Sequence, residues 1–419
     1  MSQAPSVFEQ FESNVRSYSR SFPAIFQRAR GSVIYDTSGK EYLDFFSGAG
    51  TLNYGHNEER MKRRLISYLE SDGIIHALDA STTAKQEFLT RFRDVVLQPR
   101  GLDYKVQFCG PTGTNAVEAA LKLARKVTKR TGVFAFSGGY HGMSLGSMSV
   151  TSGRSVRASA GVPTAHTTFI PYPVGPRGNF DSLSYLRNLL EDSHSGVDVP
   201  AAMILETVQM DGGIYIASAE WLKELRTLCD QHGILLICDD IQAGCGRTGR
   251  FFSFERAGIQ PDLVTLSKSI SGYGLPMALL LMRRDLDQWK PGEHTGTFRG
   301  LQLSFIAATE ALGYWQEPAF EKSIKNKEQL LRGVFGDALP GLEGELDLRG
   351  IGMAFGIDMI KAGGYERARR IQQRAFQHGL IMEQCGREDT VLKVMPPLTT
   401  TEEQLMKGCE ILIDSIRHA

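Results

Sequence analysis

The feature that most constrains the fold of this chain is a series of short, continuous apolar segments in its middle. These segments are rich in Val, Ile, Leu or Phe and lack polar alternation: KVQFC (105–109), GVFAF (132–136), AAMILE (201–206), ILLIC (234–238), LVTLS (263–267) and ALLLM (278–282). Amphipathic stretches such as NAVEAALKLARKV and SAEWLKELRTLCDQH lie between several of them. Strands that are buried on both faces and alternate with helices indicate a mostly parallel sheet covered by helices. The sequence therefore predicts an α/β fold.

The pattern changes after about residue 300, where longer helical segments are followed by two strand-like runs, MAFGIDMI and VLKVM. This order is typical of a smaller α+β domain, and two early strand-like pieces, SVIYD and EYLDF, can join it. We therefore predict that residues 1–55 contribute to a small domain, that 56–300 form a large domain, and that 301–419 form the rest of the small domain. The length of 419 residues allows this arrangement.

Composition excludes several classes of protein. The 47 basic side chains balance 47 acidic ones, which gives no electrostatic support for a nucleic-acid or membrane-surface partner. The longest apolar runs are far shorter than the ~18 residues that span a bilayer, and the start MSQAPSVFEQFESNVRS lacks the features of a signal peptide. The cysteines show neither a C-x-x-C pair nor metal-ligand spacing. We expect a soluble cytoplasmic protein with reduced thiols and no metal.

Chemically useful side chains follow several of the predicted strands. The strand ends are followed by Asp239-Asp240-Ile241-Gln242, Lys268, Glu206, the helix-opening loop Gly110-Pro111-Thr112-Gly113-Thr114, and the aromatic–histidine pair Tyr140-His141. Ligands of open parallel sheets bind beyond the carboxyl ends of the strands, so these groups are expected to converge on one rim. A phosphate-bearing cofactor that forms an imine needs such groups.

Each of these signals also has a purely structural interpretation. Gly113 and Thr114 can cradle a phosphate at the positive end of a helix dipole, or they can belong to an ordinary helix N-cap. Lys268 follows a buried strand, where desolvation can lower its pKa enough for a nucleophile and base, but most lysines at strand ends are surface residues. Asp239 at a buried strand end needs a cation such as a protonated pyridine nitrogen, or it caps a loop.

The ordered set of motifs resembles one family over nearly the whole chain, the class III pyridoxal-phosphate aminotransferases of fold type I. Within that class the chain looks most similar to the diaminobutyrate–2-oxoglutarate aminotransferases of ectoine biosynthesis. The matching stretches are RSYSRSFPAIF, AGTLNYGHN, RGLDYKVQF, GPTGTNAVEAALKLARKVT, DDIQAGCGRTGRFFSFERAGI, LSKSISGYGLPMAL and PGEHTGTFRG.

The resemblance implies pyridoxal 5'-phosphate as the cofactor, with Lys268 as the Schiff-base lysine and proton shuttle and Asp239 as the partner of the pyridine nitrogen. It also implies a homodimer or higher homo-oligomer with shared active sites, because Thr297 would reach the phosphate of the neighbouring subunit. The implied cofactor-binding residues are Gly113, Thr114, Tyr140, His141, Glu206, Asp239, Gln242, Lys268 and Thr297.

For substrate binding, the resemblance points to Glu206 and Lys393 as a carboxylate and a cation that together switch between two substrates, and to Asp211 as a further contact. A lysine at position 393 would bind the carboxylate of glutamate in a monodentate way. The subgroup usually has Gly-Glu where this chain has Met210-Asp211, so a shorter acid and a bulkier neighbour are expected to face the substrate. Two further departures are Ala77 and Leu301.

The predicted reaction moves the amino group of glutamate to aspartate β-semialdehyde, which gives 2,4-diaminobutyrate and 2-oxoglutarate. One alternative is a pyridoxal-phosphate enzyme of specialised metabolism that catalyses elimination, replacement or C–C bond formation on a different amino acid. A distant alternative is a dinucleotide-binding oxidoreductase, because Gly244-x-Gly246-x-x-Gly249 fits the Rossmann pattern. That fingerprint should open a helix at once, and here it runs into a Phe-rich segment and Pro261.

Overall fold

The computed structural model of this chain describes residues 6–342 and 345–419, so the first five residues of the predicted N-terminal segment lie outside the described part. The helices alternate with strands through most of the chain and are α1 (Val7–Phe11), α2 (Tyr18–Ser21), α3 (Ser47–Gly50), α4 (Glu59–Glu70), α5 (Thr83–Phe92), α6 (Gly113–Thr128), α7 (Leu145–Val150), α8 (Arg154–Ala158), α9 (Ser182–Glu191), α10 (Ala219–His232), α11 (Gln302–Ala311), α12 (Pro318–Ala338), α13 (Gly364–Gln377) and α14 (Glu402–Arg417).

The strands are short, and they are β1 (Phe26–Arg30), β2 (Val33–Asp36), β3 (Glu41–Asp44), β4 (Tyr104–Phe108), β5 (Val133–Phe136), β6 (Thr167–Ile170), β7 (Val174–Gly175), β8 (Gly178–Asn179), β9 (Ala202–Leu205), β10 (Val208–Gln209), β11 (Tyr215–Ile216), β12 (Leu235–Asp239), β13 (Leu263–Leu266), β14 (Leu279–Arg283), β15 (Asp347–Ile351), β16 (Ala354–Asp358), β17 (Leu380–Ile381), β18 (Glu383–Cys385) and β19 (Val391–Val394).

A seven-stranded sheet in the order β4-β14-β13-β12-β9-β5-β6 forms the centre of the molecule. Strand β14 runs antiparallel to both of its neighbours, and the other adjacent pairs are parallel. The six predicted apolar segments all lie in this sheet, which confirms the α/β prediction. The seventh strand, β6, was not predicted, because its sequence TTFI is half polar, as suits an edge position.

Local sequence explains why helices cover this sheet. Helix α6 begins after Thr112, which forms a capping box with Asn115, and it ends at Thr128, where Lys129 follows as the C-cap in the left-handed conformation. Its buried face carries small residues such as Ala116 and Ala120, which let it pack closely on the strands. Helix α10 is capped by Ser218 at its start and by Gly233, with φ +60°, after its last residue His232.

Two four-stranded sheets lie outside the central one, in the orders β1-β2-β3-β17 and β15-β16-β19-β18. Strand β3 from the start of the chain pairs in parallel with β17 from its end, so the N-terminal segment joins the C-terminal part as expected. Helix α11, which begins just after the predicted boundary at 300, contributes Phe305 and Ile306 to the core of the central sheet. The domain boundaries themselves stay a prediction.

Two further sequence expectations concern cysteines and membranes. All six cysteines are free and buried, as expected of packed thiols. Across residues 6–342 and 345–419 no helix is both long and apolar enough to cross a membrane. The cytoplasmic location stays a prediction.

The loop with the Rossmann-like glycine pattern does not open a helix. After β12 the chain passes through turns until a short 3-10 helix at Ser253–Ala257. Since a dinucleotide fingerprint needs a helix N-terminus directly after the strand, this local geometry does not support an oxidoreductase.

Candidate active site

Lys268 lies directly after β13 and begins a one-turn 3-10 helix that ends at Ser271. Its backbone has φ +53°, a conformation that costs a non-glycine residue about 1 kcal/mol or more and that is concentrated at functional sites. Desolvation lowers the pKa of its amine, and the positive charge of Lys393 lowers the pKa further. Three carboxylates, on Glu383, Asp211 and Asp239, act in the opposite direction. A lysine in this setting has an increased neutral fraction, which a nucleophile or base requires.

Asp239 ends β12 and is 4% exposed. Its Oδ2 lies 2.6 Å from Nδ1 of the buried His141, and its Oδ1 accepts hydrogen bonds from the Thr265 hydroxyl at 3.0 Å and the Ile241 amide at 3.2 Å. His141 is itself oriented by its amide, which donates to the Thr151 hydroxyl at 2.9 Å. These contacts fix the position of the carboxylate. They show that Asp239 has polar neighbours in the protein, as burial of a charge demands.

The predicted phosphate cradle is formed by the N-terminus of α6. Gly113 is the first residue of the helix, and a Cβ on it would come within 2.8 Å of Ile241. Gly142 has φ +126°, and a Cβ there would lie 2.5 Å from the Thr114 hydroxyl. Both glycines are therefore required where the loops approach most closely. The Thr114 hydroxyl is bonded to Ser144 at 2.7 Å and to Ser147 at 2.5 Å, two neighbours that sequence reasoning missed.

Gln242 and Ser269 both reach a left-handed turn at residues 47–50, where all four residues have positive φ. Gln242 donates to the Ala49 carbonyl at 2.6 Å, and Ser269 donates to the Gly50 carbonyl at 2.7 Å. The N-terminal segment is thus held next to the residues that follow Asp239 and Lys268. The sequence SGAG at this turn contains two glycines, which was the available signal for an unusual backbone.

Glu206 contacts two backbone amides, and the ion pairs of Lys393 are with other carboxylates. One of its oxygens accepts the Tyr140 amide and the other accepts the Met210 amide, each at 3.0 Å. Burial raises the pKa of Glu206 to about 7, although the nearby His141 opposes the shift. With both oxygens occupied by backbone amides, this carboxyl serves to join two loops at the rim.

Lys393 forms an ion cluster with two other carboxylates. Its Nζ lies 2.7 Å from Glu383 Oε2 and 3.8 Å from Asp211 Oδ1. The Tyr18 hydroxyl donates to the other oxygen of Glu383 at 3.2 Å. We call Lys393, Glu383 and Asp211 the Lys393 cluster. Sequence reasoning missed Glu383, and the available signal was its opposite charge in IMEQC (381–385), a short apolar segment shortly before VLKVM.

The other residues that the sequence singled out differ in exposure. Tyr140 is 37% exposed. Met210 is fully buried in an apolar cluster that includes Met395, so the expectation that it faces the substrate is wrong, because the β10–β11 turn directs it inward. Ala77 and Leu301 are partly buried, Leu301 at the N-cap of α11.

Thr297 is in contact with His76, which is not one of the predicted site residues. Thr297 is exposed, and its carbonyl accepts a hydrogen bond from His76 Nε2 at 2.9 Å. Its side chain has no hydrogen bond to any predicted site residue within the described part of the chain. The described part also holds no group of three or more His, Cys, Asp or Glu side chains that could bind a metal ion.

Comparison with known proteins shows the class of enzyme to which this chain belongs. The fold matches the ornithine aminotransferase of Toxoplasma gondii with a TM-score of 0.84 at 23% identity, over 98% of this chain and 92% of that one. The family model for aminotransferase class-III matches residues 15–416. The chain therefore belongs to the class III aminotransferases and is a pyridoxal-phosphate-dependent enzyme of fold type I that acts on amino acids and oxo acids.

Two curated relatives are similar over nearly their full length. The diaminobutyrate–2-oxoglutarate transaminase of Halalkalibacterium halodurans is 53% identical over 98% of this chain and 96% of its own. The enzyme of the same name from Virgibacillus pantothenticus is 52% identical over 98% of this chain and 99% of its own.

The residues at the rim fit pyridoxal phosphate. Desolvation lowers the pKa of the Lys268 amine, and none of the residues 6–342 and 345–419 forms a hydrogen bond or an ion pair with it. The buried Asp239 carboxylate suits a protonated ring nitrogen, and the amides at the start of α6 suit a phosphate.

Proposed function

We propose that this enzyme moves the amino group of glutamate to the aldehyde carbon of aspartate β-semialdehyde and so forms 2,4-diaminobutyrate and 2-oxoglutarate, the ectoine-type reaction. The observation that carries the proposal is the Lys393 cluster, in which a buried ammonium lies between two carboxylates. The names of the relatives at 53% and 52% identity support it.

Lys268 and Asp239 are proposed to carry the chemistry common to the family. Bound pyridoxal phosphate supplies an electron sink for the pair that remains when an amino acid loses its Cα proton. Lys268 Nζ then accepts and returns that proton, which its lowered pKa favours. Asp239 keeps a proton on the ring nitrogen through its negative charge, and His141 holds the carboxylate in place.

The proposed positioning roles follow from location on the rim. Gly113 and Thr114 bind the phosphate with the amides and hydroxyl at the start of α6. When the cofactor is bound, Gln242 would contact the ring hydroxyl and Tyr140 would cover a face of the ring. His141 and Glu206 belong to the cofactor site as residues that fix Asp239 and the Tyr140 loop.

The substrates are proposed to meet the Lys393 cluster. Lys393 binds a carboxylate of glutamate, while Asp211 is half-exposed and can move away to admit it. When the cationic 2,4-diaminobutyrate binds instead, Asp211 stays and contributes a negative charge. A binding site that leaves a charge unpaired for the wrong substrate discriminates by a few kcal/mol.

Half-reactions measured by absorbance test this proposal. Glutamate and 2,4-diaminobutyrate, each added alone at equal concentration, should convert the cofactor rapidly to its aminated form. Ornithine and 4-aminobutyrate should react at least about tenfold more slowly, because neither matches the charges at the right distance. If neither glutamate nor 2,4-diaminobutyrate reacts, the result would favour the alternative, a pyridoxal-phosphate enzyme of specialised metabolism that acts on a different amino acid.

We further propose a homodimer with shared active sites. An apolar patch on α4, on the segment after it and in the loop at 297–298 supports this: Ile66, Leu69, Ile74, Ile75, Leu78 and Phe298, each at least 43% exposed. His76 joins these parts, since it contacts both Thr297 and Phe298. Exposed apolar patches of this kind mark protein interfaces.

Complementation tests the sharing of sites. Lys268→Ala and Thr297→Asp should each inactivate the homodimer, the second because an added carboxylate repels a phosphate. Mixed dimers should regain activity, because one hybrid site carries both defects and the other carries neither. Random reassociation of equal amounts should give about a quarter of wild-type activity. Mixed dimers that are verified by mass spectrometry and stay inactive would contradict sharing.

A further inference from the structure

Glu383 and Lys393 are held opposite each other by the sheet rather than by chance contact of flexible side chains. In the antiparallel pair β18–β19 the register places Glu383 directly across from Lys393. Directly opposed residues on one sheet face have neighbouring Cβ atoms, so the carboxylate has little freedom to leave the ammonium. The Lys393 side chain is 1% exposed and that of Glu383 is 13% exposed.

Asp211 differs from Glu383 in each of these respects. Its side chain is 51% exposed and its oxygen lies 3.8 Å from Lys393 Nζ, beyond hydrogen-bond distance. It lies in the turn between β10 and β11 rather than in a strand. Only Asp211 can therefore be displaced at low cost by an incoming carboxylate.

The ammonium of Lys393 retains unused donor capacity. Glu383 Oε2 at 2.7 Å engages at most one or two of the three N–H groups of the ammonium, and no hydrogen bond to Nζ comes from any other of the residues at 6–342 and 345–419. The buried ion pairs raise the pKa of Lys393 despite its desolvation, so the group is a cation. A buried cation with free N–H groups is suited to bind a carboxylate.

We propose that Glu383 is a specificity-determining residue that holds a permanent negative charge on Lys393. This inference rests on the proposed function and extends it. With Glu383 present, one ammonium and two carboxylates give the Lys393 cluster a formal net charge of −1. The cleft must accept in turn glutamate, with two carboxylates, and 2,4-diaminobutyrate, with two ammonium groups. Glu383 weakens the binding of glutamate and strengthens the binding of 2,4-diaminobutyrate, and so brings the affinities of the one site for the two amino acids closer together.

The test removes the charge with Glu383→Gln and measures binding of glutarate, an unreactive dicarboxylate, to the holoenzyme by calorimetry. Glutarate should bind about tenfold more tightly than to wild type, because the cluster loses one negative charge. Butyrate, with a single carboxylate, serves as the reference ligand, and its affinity should increase less than that of glutarate. The KM for 2,4-diaminobutyrate should rise about tenfold while kcat changes little.

Glu388→Gln is the matched control, because it removes the same charge from an exposed residue of the same segment. It should leave glutarate binding unchanged. In the double variant Glu383→Gln/Lys393→Met, the increase in glutarate affinity should be lost. Glu383→Asp, which keeps the charge but withdraws it by about one methylene, should show a smaller gain in glutarate binding.

Two outcomes separate the inference from the function on which it rests. Glutarate binding that stays at the wild-type value in both Glu383→Gln and Glu383→Asp would overturn the role of Glu383, even if wild type reacts with glutamate and 2,4-diaminobutyrate. Failure of wild type in those half-reactions would overturn the proposed function, whereas the glutarate measurement needs no turnover. If Glu383→Gln does not fold, the result with Glu383→Asp decides.

Discussion

Replacing Lys268 by alanine is expected to reduce amino transfer from glutamate by at least about 10⁴-fold, because the change removes both a nucleophile and a general base. Desolvation lowers the pKa of the amine, and Lys268 stands directly after β13 with a positive φ. The variant should still bind pyridoxal phosphate through the N-terminus of α6. Measurement of single-turnover rates and of cofactor retention after gel filtration checks both statements.

Borohydride reduction gives the corresponding control for Lys268. It should attach the cofactor covalently to a peptide that contains Lys268 in wild type, and to none in Lys268→Ala. Lys327 is a buried lysine whose pKa is also lowered and whose ammonium donates a hydrogen bond to the Leu398 carbonyl. Its replacement in Lys327→Met should lower the melting temperature but keep turnover within a few fold. A reduced adduct on another lysine, or activity in Lys268→Ala, would refute the assignment.

Replacing Asp239 by asparagine should slow removal of the Cα proton by more than about 100-fold, equivalent to ~3 kcal/mol or more. Asparagine has nearly the same shape as aspartate but no negative charge. The proton on the ring nitrogen depends on that charge, so the substitution removes its stabilisation. Asparagine also presents an NH₂ group to one of the donors that surround Asp239, so some loss of stability is expected. Rapid-mixing absorbance with glutamate gives the rate, and thermal unfolding shows whether the fold is kept.

The adjacent residue Asp240 provides a matched control for Asp239. Asp240 is also buried, and it accepts a hydrogen bond from the Ser253 amide. Burial raises the pKa of Asp240 to about 7, so its carboxyl is partly protonated at neutral pH. Asp240→Asn should therefore keep the rate within a few fold. Equal slowing by both changes would mean that the loss is structural, and normal turnover in Asp239→Asn would end the proposed role.

The positions of Lys268 and Asp239 could be predicted from the sequence because they depend on local information. Each follows an apolar segment that can only be a buried strand, and parallel strands deliver their carboxyl ends to one edge. The motif resemblance then supplied the family, which the comparisons confirmed. The helix N-terminus at Gly113 followed from the same reasoning, since the loop after β4 opens α6.

The Lys393 cluster and the turn at residues 47–50 could not be predicted in this way. Glu383 faces Lys393 only because β18 and β19 pair in one particular register, and a shift of one residue would place Glu383 on the opposite sheet face. The contact from Gln242 to Ala49 joins residues far apart in the chain. Sequence alone therefore determined which groups stand at strand ends, because burial pattern is local. The tertiary structure decided which carboxylate pairs with Lys393, because strand register and long-range packing decide which distant side chains meet.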